Sequence, residues 1–165
     1  MENEKIILDA CCGNRMFWYD KNNKDVLFLD KRLEVKPNII GDFRNLPFKN
    51  NSFKLVVFDP PHIIQKYNPN SFIMKSYGSL EPDTWKEDLK KGFDECFRVL
   101  NNYGILLFKW NSRDWDKRTS EESILRIINK KPLIKNVIIK RAKEKRNNSK
   151  TFWFCFMKFP EEEKQ

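Results

Sequence analysis

The chain has 165 residues, of which 40% are hydrophobic and 14% aromatic, and it carries a net charge of +9. That length predicts one domain with its own core, and the apolar content excludes a disordered chain. No apolar run reaches the roughly 18 residues of a membrane span, and the charge excess suits a polyanionic partner as readily as it reflects lysine-rich codon usage.

The start, Met1-Glu2-Asn3-Glu4-Lys5, has no signal-peptide layout. The cysteines Cys11, Cys12, Cys96 and Cys155 form no Cys-x-x-Cys pair, and His62 is the one histidine. A structural zinc site takes about four Cys/His ligands, so no metal is expected. The thiols read as small apolar residues in a reducing, cytoplasmic setting.

In chain order, Ile6-Ile7-Leu8 reads as a buried strand that ends at Asp9-Ala10-Cys11-Cys12-Gly13-Asn14-Arg15, a turn. Gly13 permits close approach of a backbone to a ligand. The cluster Met16-Phe17-Trp18-Tyr19 reads as core or as a cofactor wall, with core preferred, and the next strand follows too soon for more than a short helix or a turn. Val26 to Asp30 is the second strand. Its closing acid lies about 20 residues after Asp9, the spacing at which nucleotide-binding α/β folds place a carboxylate on the ribose hydroxyls. Ile39-Ile40 precedes Gly41-Asp42-Phe43, where Asp42 also reads as a turn residue.

Phe53 to Phe58 is an apolar run that reads as a buried parallel strand, closed by Asp59-Pro60-Pro61-His62. Ligands of open α/β sheets sit at the carboxyl ends of the strands. Consecutive prolines donate no N–H and hold the chain extended there. Residues 63–82 show no period and read as a long loop of the kind that forms lids or binding segments. Lys66, Tyr67, Lys75 and Tyr77 interleave bases with rings, as nucleic-acid contacts require.

Asp83 to Leu100 is the clearest helix, with Asp83 as the expected cap and Trp85, Leu89, Phe93, Cys96, Phe97 and Leu100 on one face. Asn101-Asn102-Tyr103-Gly104 is expected to end it as a turn. Ile105 to Phe108 is the fifth strand, from whose end Lys109 and Asn111 could reach the crevice. Thr119 and Glu122 predict a capping box for a helix carrying Ile124, Leu125, Ile127 and Ile128. Leu133 to Ile139 and Thr151 to Phe159 complete the strands. Lys140, Arg141, Lys143, Lys145 and Arg146 crowd between them, a basic tip that suits phosphate contact or simple solvation.

The tetrapeptide Asp59-Pro60-Pro61-His62 resembles the Asp/Asn-Pro-Pro-aromatic motif of the amino-group methyltransferases of nucleic acids. These belong to the class I enzymes that use S-adenosylmethionine. The Gly41-Asp42…Leu46-Pro47-Phe48 and Ser52-Phe53 segments, and Asp9 with Gly13, resemble other parts of that family's pattern. The loop here has one glycine where the family writes several, and His62 stands where Tyr, Phe or Trp is usual. The resemblance implies a single minimal Rossmann-like domain: a doubly wound, mostly parallel α/β sheet with helices on both faces and an antiparallel C-terminal strand.

It also implies roles. Asp9, Ala10, Cys11 and Gly13 would form the cofactor loop, with Asp42 and Phe43 on the adenine of S-adenosylmethionine. Asp59 and the Pro60 carbonyl would accept hydrogen bonds from an exocyclic amine, most simply adenine N6, while His62 stacks on a flipped base. No room exists for a separate target-recognition region. Specificity is then loose, or comes from a dimer or partner, or the substrate is structured RNA or single-stranded nucleic acid. The rival readings are a methyltransferase of a protein or small-molecule amine, and a non-catalytic nucleic-acid-binding protein that keeps the fold.

Overall fold

The computed structural model describes residues 6–113, 116–141 and 148–160. Seven strands form one sheet in the order β3-β2-β1-β4-β5-β7-β6. They are β1 (Ile7–Asp9), β2 (Val26–Asp30), β3 (Ile39–Ile40), β4 (Phe53–Phe58), β5 (Leu100–Arg113), β6 (Ile134–Lys140) and β7 (Ser149–Met157). The first five run parallel, and β7 pairs antiparallel with both β5 and β6. This is the mostly parallel α/β sheet with an antiparallel C-terminal strand that the sequence predicts. The central strands are near-continuous apolar runs because both of their faces are covered.

Helix α2 (Trp85–Val99) sets its apolar stripe on the sheet. Phe93 meets Phe108 at 5.9 Å and Phe156 at 5.0 Å between ring centroids, both edge-to-face, the favourable arrangement of two ring quadrupoles. Helix α3 (Glu121–Ile128) adds Ile124 and Ile128 to the same core. The connection from β1 to β2 is a run of turns. Trp18 from it packs against Phe28, and Phe17 against Trp153 at 5.0 Å. Met16 and Tyr19 are exposed, and Met16 and Phe17 line the cavity described below, so the 16–19 cluster is not core throughout.

Four local expectations are corrected. The loop 63–82 contains a short helix, α1 (Phe72–Tyr77), capped by the Ser71 hydroxyl. Residues 101–104 do not end α2 in a turn. The chain passes directly into β5, and they swell out where Phe53↔Leu100 is followed by Leu55↔Ile105 in the register. Tyr103 takes a left-handed φ of 62° there. Helix α2 begins after Thr84 rather than Asp83. Helix α3 is capped by Ser120, whose hydroxyl accepts from the Ser123 N–H, because Thr119 still belongs to the preceding 3-10 turn Lys117–Thr119.

Candidate functional site

The carboxyl ends of β1, β2 and β4 open onto one cavity of about 250 Å³. Asp9, Ala10, Cys11 and Gly13 line it from the loop after β1, and Asp30 from the end of β2. Phe43 reaches it from the turn after β3, and Asp59, Pro60, Pro61 and His62 from the end of β4. Parallel pairing puts these ends side by side, since Asp9 is level with Phe28 and with Val57. Gly13 has φ +48°, and a Cβ there would lie 3.3 Å from an Arg32 nitrogen, so glycine serves both backbone and space.

The cavity holds three carboxylates with different partners. Asp59 receives the Lys109 ammonium at 2.6 Å on Oδ2, and among the described residues Oδ1 takes no hydrogen bond. Burial raises the Asp59 pKa, and the Lys109 charge opposes that shift. Asp30 is bound by the Arg32 guanidinium at 2.9 Å. Its pKa nonetheless falls: burial is the largest single influence and works upward, but the Arg32 bonds and charge together outweigh it.

Asp9 has no cation beside it among the described residues. It accepts from the Trp18 indole at 2.7 Å and from the Cys11 amide at 3.3 Å. Burial lifts its pKa to about 7, aided by the Asp59 and Asp30 charges and resisted by those two bonds. The His62 imidazole is pushed down to about 4, first by burial and then by the charges of Lys109 and Arg113, so it is neutral near pH 7. Burial also drives the Cys12 thiol up to about 12 and the Cys11 thiol well above its ordinary value, which leaves both inert. All four cysteines are free.

Other expected residues lie apart. Asp42 sits in a neighbouring cavity of about 480 Å³, shared with Phe43, where Arg44 grips both of its oxygens and reaches Asp88 at 3.0 Å. Lys66, Lys140 and Arg141 are exposed, away from the cavity. Lys143, Lys145 and Arg146 fall outside the described residues. Among the described residues no cluster of three or more His, Cys, Asp or Glu could hold a metal, and no helix is long and apolar enough to cross a membrane.

Sequence reasoning missed Arg32 and the α1 residues Phe72 and Ser76, which line the cavity together with Tyr77. A base two residues after a strand-end acid was the available signal for Arg32. Nothing in the pattern of 63–82 marked α1.

No family model and no curated protein matches the chain. Solved structures do match in fold. A SAM-dependent methyltransferase from Methanosarcina mazei aligns with a TM-score of 0.62 at 14% identity, over 94% of this chain and 92% of that one. The N-methyltransferase NodS of Bradyrhizobium japonicum, solved with S-adenosyl-L-homocysteine, gives 0.55 at 12% identity over 91% and 76%. The cyclase SpnF gives 0.64 at 11% identity over 93% and 74%. The chain therefore has the Rossmann-like fold of S-adenosylmethionine-dependent methyltransferases. That fold also carries a cyclase, so the reaction has to be argued from the site.

Proposed function

We propose that this protein binds S-adenosylmethionine and methylates the exocyclic amine of a nucleic-acid base, with adenine N6 as the favoured atom. The observation that carries this is one cavity shared by the Gly13 loop and by Asp59-Pro60. Groups suited to hold a cofactor and groups suited to hold an amine therefore face the same space. When bound, S-adenosylmethionine supplies an electrophilic methyl group.

The residues fit such a ligand in part. Asp9, buried without a cation, is a ready counter-ion for an ammonium or sulfonium charge. Phe43 and the Gly13 backbone offer an apolar wall and a close approach. Asp30 fits only if Arg32 releases it.

On the acceptor side, the free Oδ1 of Asp59 and the Pro60 carbonyl accept two N–H bonds and fix the direction of the nitrogen lone pair. The Lys109 ammonium opposes the burial-driven rise of the Asp59 pKa and so favours the carboxylate, the form that can stabilise positive charge growing on the nitrogen. His62, neutral and part-buried, offers a face for stacking. A base in a duplex would have to flip out. The net positive charge and the exposed Lys140 and Arg141 at the end of β6 support a polyanionic substrate.

A second reading is methylation of a small-molecule amine. It is favoured by the small volume of the cavity.

The test is methyl transfer from tritiated cofactor to DNA and RNA pools, with nucleoside analysis, beside calorimetry with S-adenosylhomocysteine. N6-methyladenine product establishes the proposal. Cofactor binding without transfer to either pool moves the reading to small amines. No cofactor binding ends both.

A further inference from the structure

Asp30 is the carboxylate expected to take the ribose hydroxyls, yet its own acceptor sites are filled. Oδ1 accepts from the Arg32 backbone N–H at 3.0 Å and from Arg32 Nε at 2.9 Å. Oδ2 accepts from Arg32 Nη2 at 3.0 Å and from the Gly13 N–H at 2.9 Å. A carboxylate offers about four lone-pair sites, so a ribose diol finds none. Two of the four bonds come from the movable Arg32 side chain, as many as a diol has hydroxyls.

The guanidinium has a third engagement. Its Nη1 donates to the Lys75 carbonyl at 3.0 Å, 43 residues along the chain and inside α1. Beside it, Nη1 lies 4.0 Å from where a Cβ on Gly78 would stand. One side chain, itself 13% exposed, thus joins the end of β2 and the α1 segment that walls the cavity. α1 has little else to hold it: Met74 is its one buried residue, while Phe72, Ile73 and Tyr77 are exposed.

We propose that Arg32 is the gating residue of the nucleoside subsite. Paired with Asp30, it shuts out the ribose diol and holds α1 over the cavity. When a nucleoside ligand takes Asp30, Arg32 is displaced, and its hold on α1 is lost with it. Ligand entry and the freedom of the 72–78 segment are therefore one equilibrium. This rests on the cofactor reading above only for the identity of the ligand. The tether itself is a property of the free protein.

The test uses the full chain with Arg32→Ala and Arg32→Lys. Lysine keeps the charge but cannot span both Asp30 oxygens and the Lys75 carbonyl. Calorimetry with S-adenosylhomocysteine reads the gate. A subsite closed about nine-tenths of the time weakens apparent affinity about tenfold, so Arg32→Ala should bind about tenfold tighter and Arg32→Lys in between. Hydrogen exchange of residues 72–78 in the ligand-free proteins reads the tether and should quicken in both variants.

Affinity that is unchanged or weaker in both variants overturns the gate and makes Arg32 a bystander or a ligand contact. Unchanged exchange overturns the tether. If no protein binds S-adenosylhomocysteine while exchange quickens, the cofactor reading fails and the tether stands. Should Arg32→Ala not fold, Arg32→Lys alone decides both points.

Discussion

Replacing Asp9 by asparagine isolates the cost of a buried charge. Asp9 is 1% exposed and its pKa is lifted from 3.8 to about 7, chiefly by burial. Between those two values the native protein holds a proton that the unfolded chain has released. Stability contributed by this group is therefore greatest at low pH, falls as pH rises from about 4 to 7, and is level above. At about 1.4 kcal/mol per pH unit, the two units from pH 5 to 7 remove about 3 kcal/mol. Asparagine does not ionise. Its carbonyl can keep the Trp18 bond, while its amide faces the Cys11 N–H and forfeits that weaker bond, at a cost of about 1 kcal/mol that pH leaves unchanged. The stability difference between Asp9→Asn and wild type should therefore swing towards the variant by about 3 kcal/mol from pH 5 to pH 8. Urea unfolding at four pH values measures it, with slopes checked for constancy. Parallel pH profiles for the two proteins would refute the reasoning, because Asp9 would then ionise alike in both states.

Three other substitutions probe the site and its support. Asp59→Ala should lower methyl transfer by about 10²–10⁴-fold and leave S-adenosylhomocysteine affinity nearly unchanged. Equal loss of both would place Asp59 on the cofactor side. Lys109→Met removes the cation that opposes the burial-driven rise of the Asp59 pKa. The acidic limb of the pH–rate profile should then move to higher pH, since Asp59 works ionised, and an unmoved limb would separate Lys109 from the chemistry. Gly92→Ala places a Cβ 2.4 Å from the Phe43 ring and 2.8 Å from Phe58. Overpacking of about 1–3 kcal/mol should outweigh the helix-propensity gain of about 1 kcal/mol, seen as a lower urea midpoint.

The first four strands were legible because each is a short apolar run closed by an acid or a glycine. The first four appear where the sequence predicts, with small shifts at their ends. The carboxyl-end rule was enough to place Asp9, Asp30 and Asp59 to His62 about one cavity, while Phe43, which also lines it, was named through the family resemblance alone. What stayed hidden depends on partners chosen in three dimensions. α1 buries only Met74, so it leaves no period to read. The 101–104 segment has turn composition and does bulge, but the pairing of β5 with β4 and β7 carries the strand on through it. The pair Lys109–Asp59 could not be deduced, since Lys and Arg abound in this chain and composition names no partner, and for Arg32–Asp30 the two-residue spacing was the one signal. Asp42 was plausible as a cofactor contact by position, yet the nearby Arg44 engages both of its oxygens.

Strand β7 sits inside the sheet, between β5 and β6, although it is the last of the seven in sequence. During synthesis, β6 therefore emerges before the strand that must separate it from β5. Until residues 149–157 arrive, the β5 edge stands open, and with it the apolar row of Leu106, Phe108 and Trp110 that Phe152, Phe154 and Phe156 help to bury. The nascent chain thus passes through a stage in which the 14-residue β5 is paired on the β4 side alone and open on the other, the kind of edge that recruits other chains. A stalled or clipped product lacking β7 would lose a central plank rather than a border, and its fate would be aggregation or proteolysis rather than partial activity.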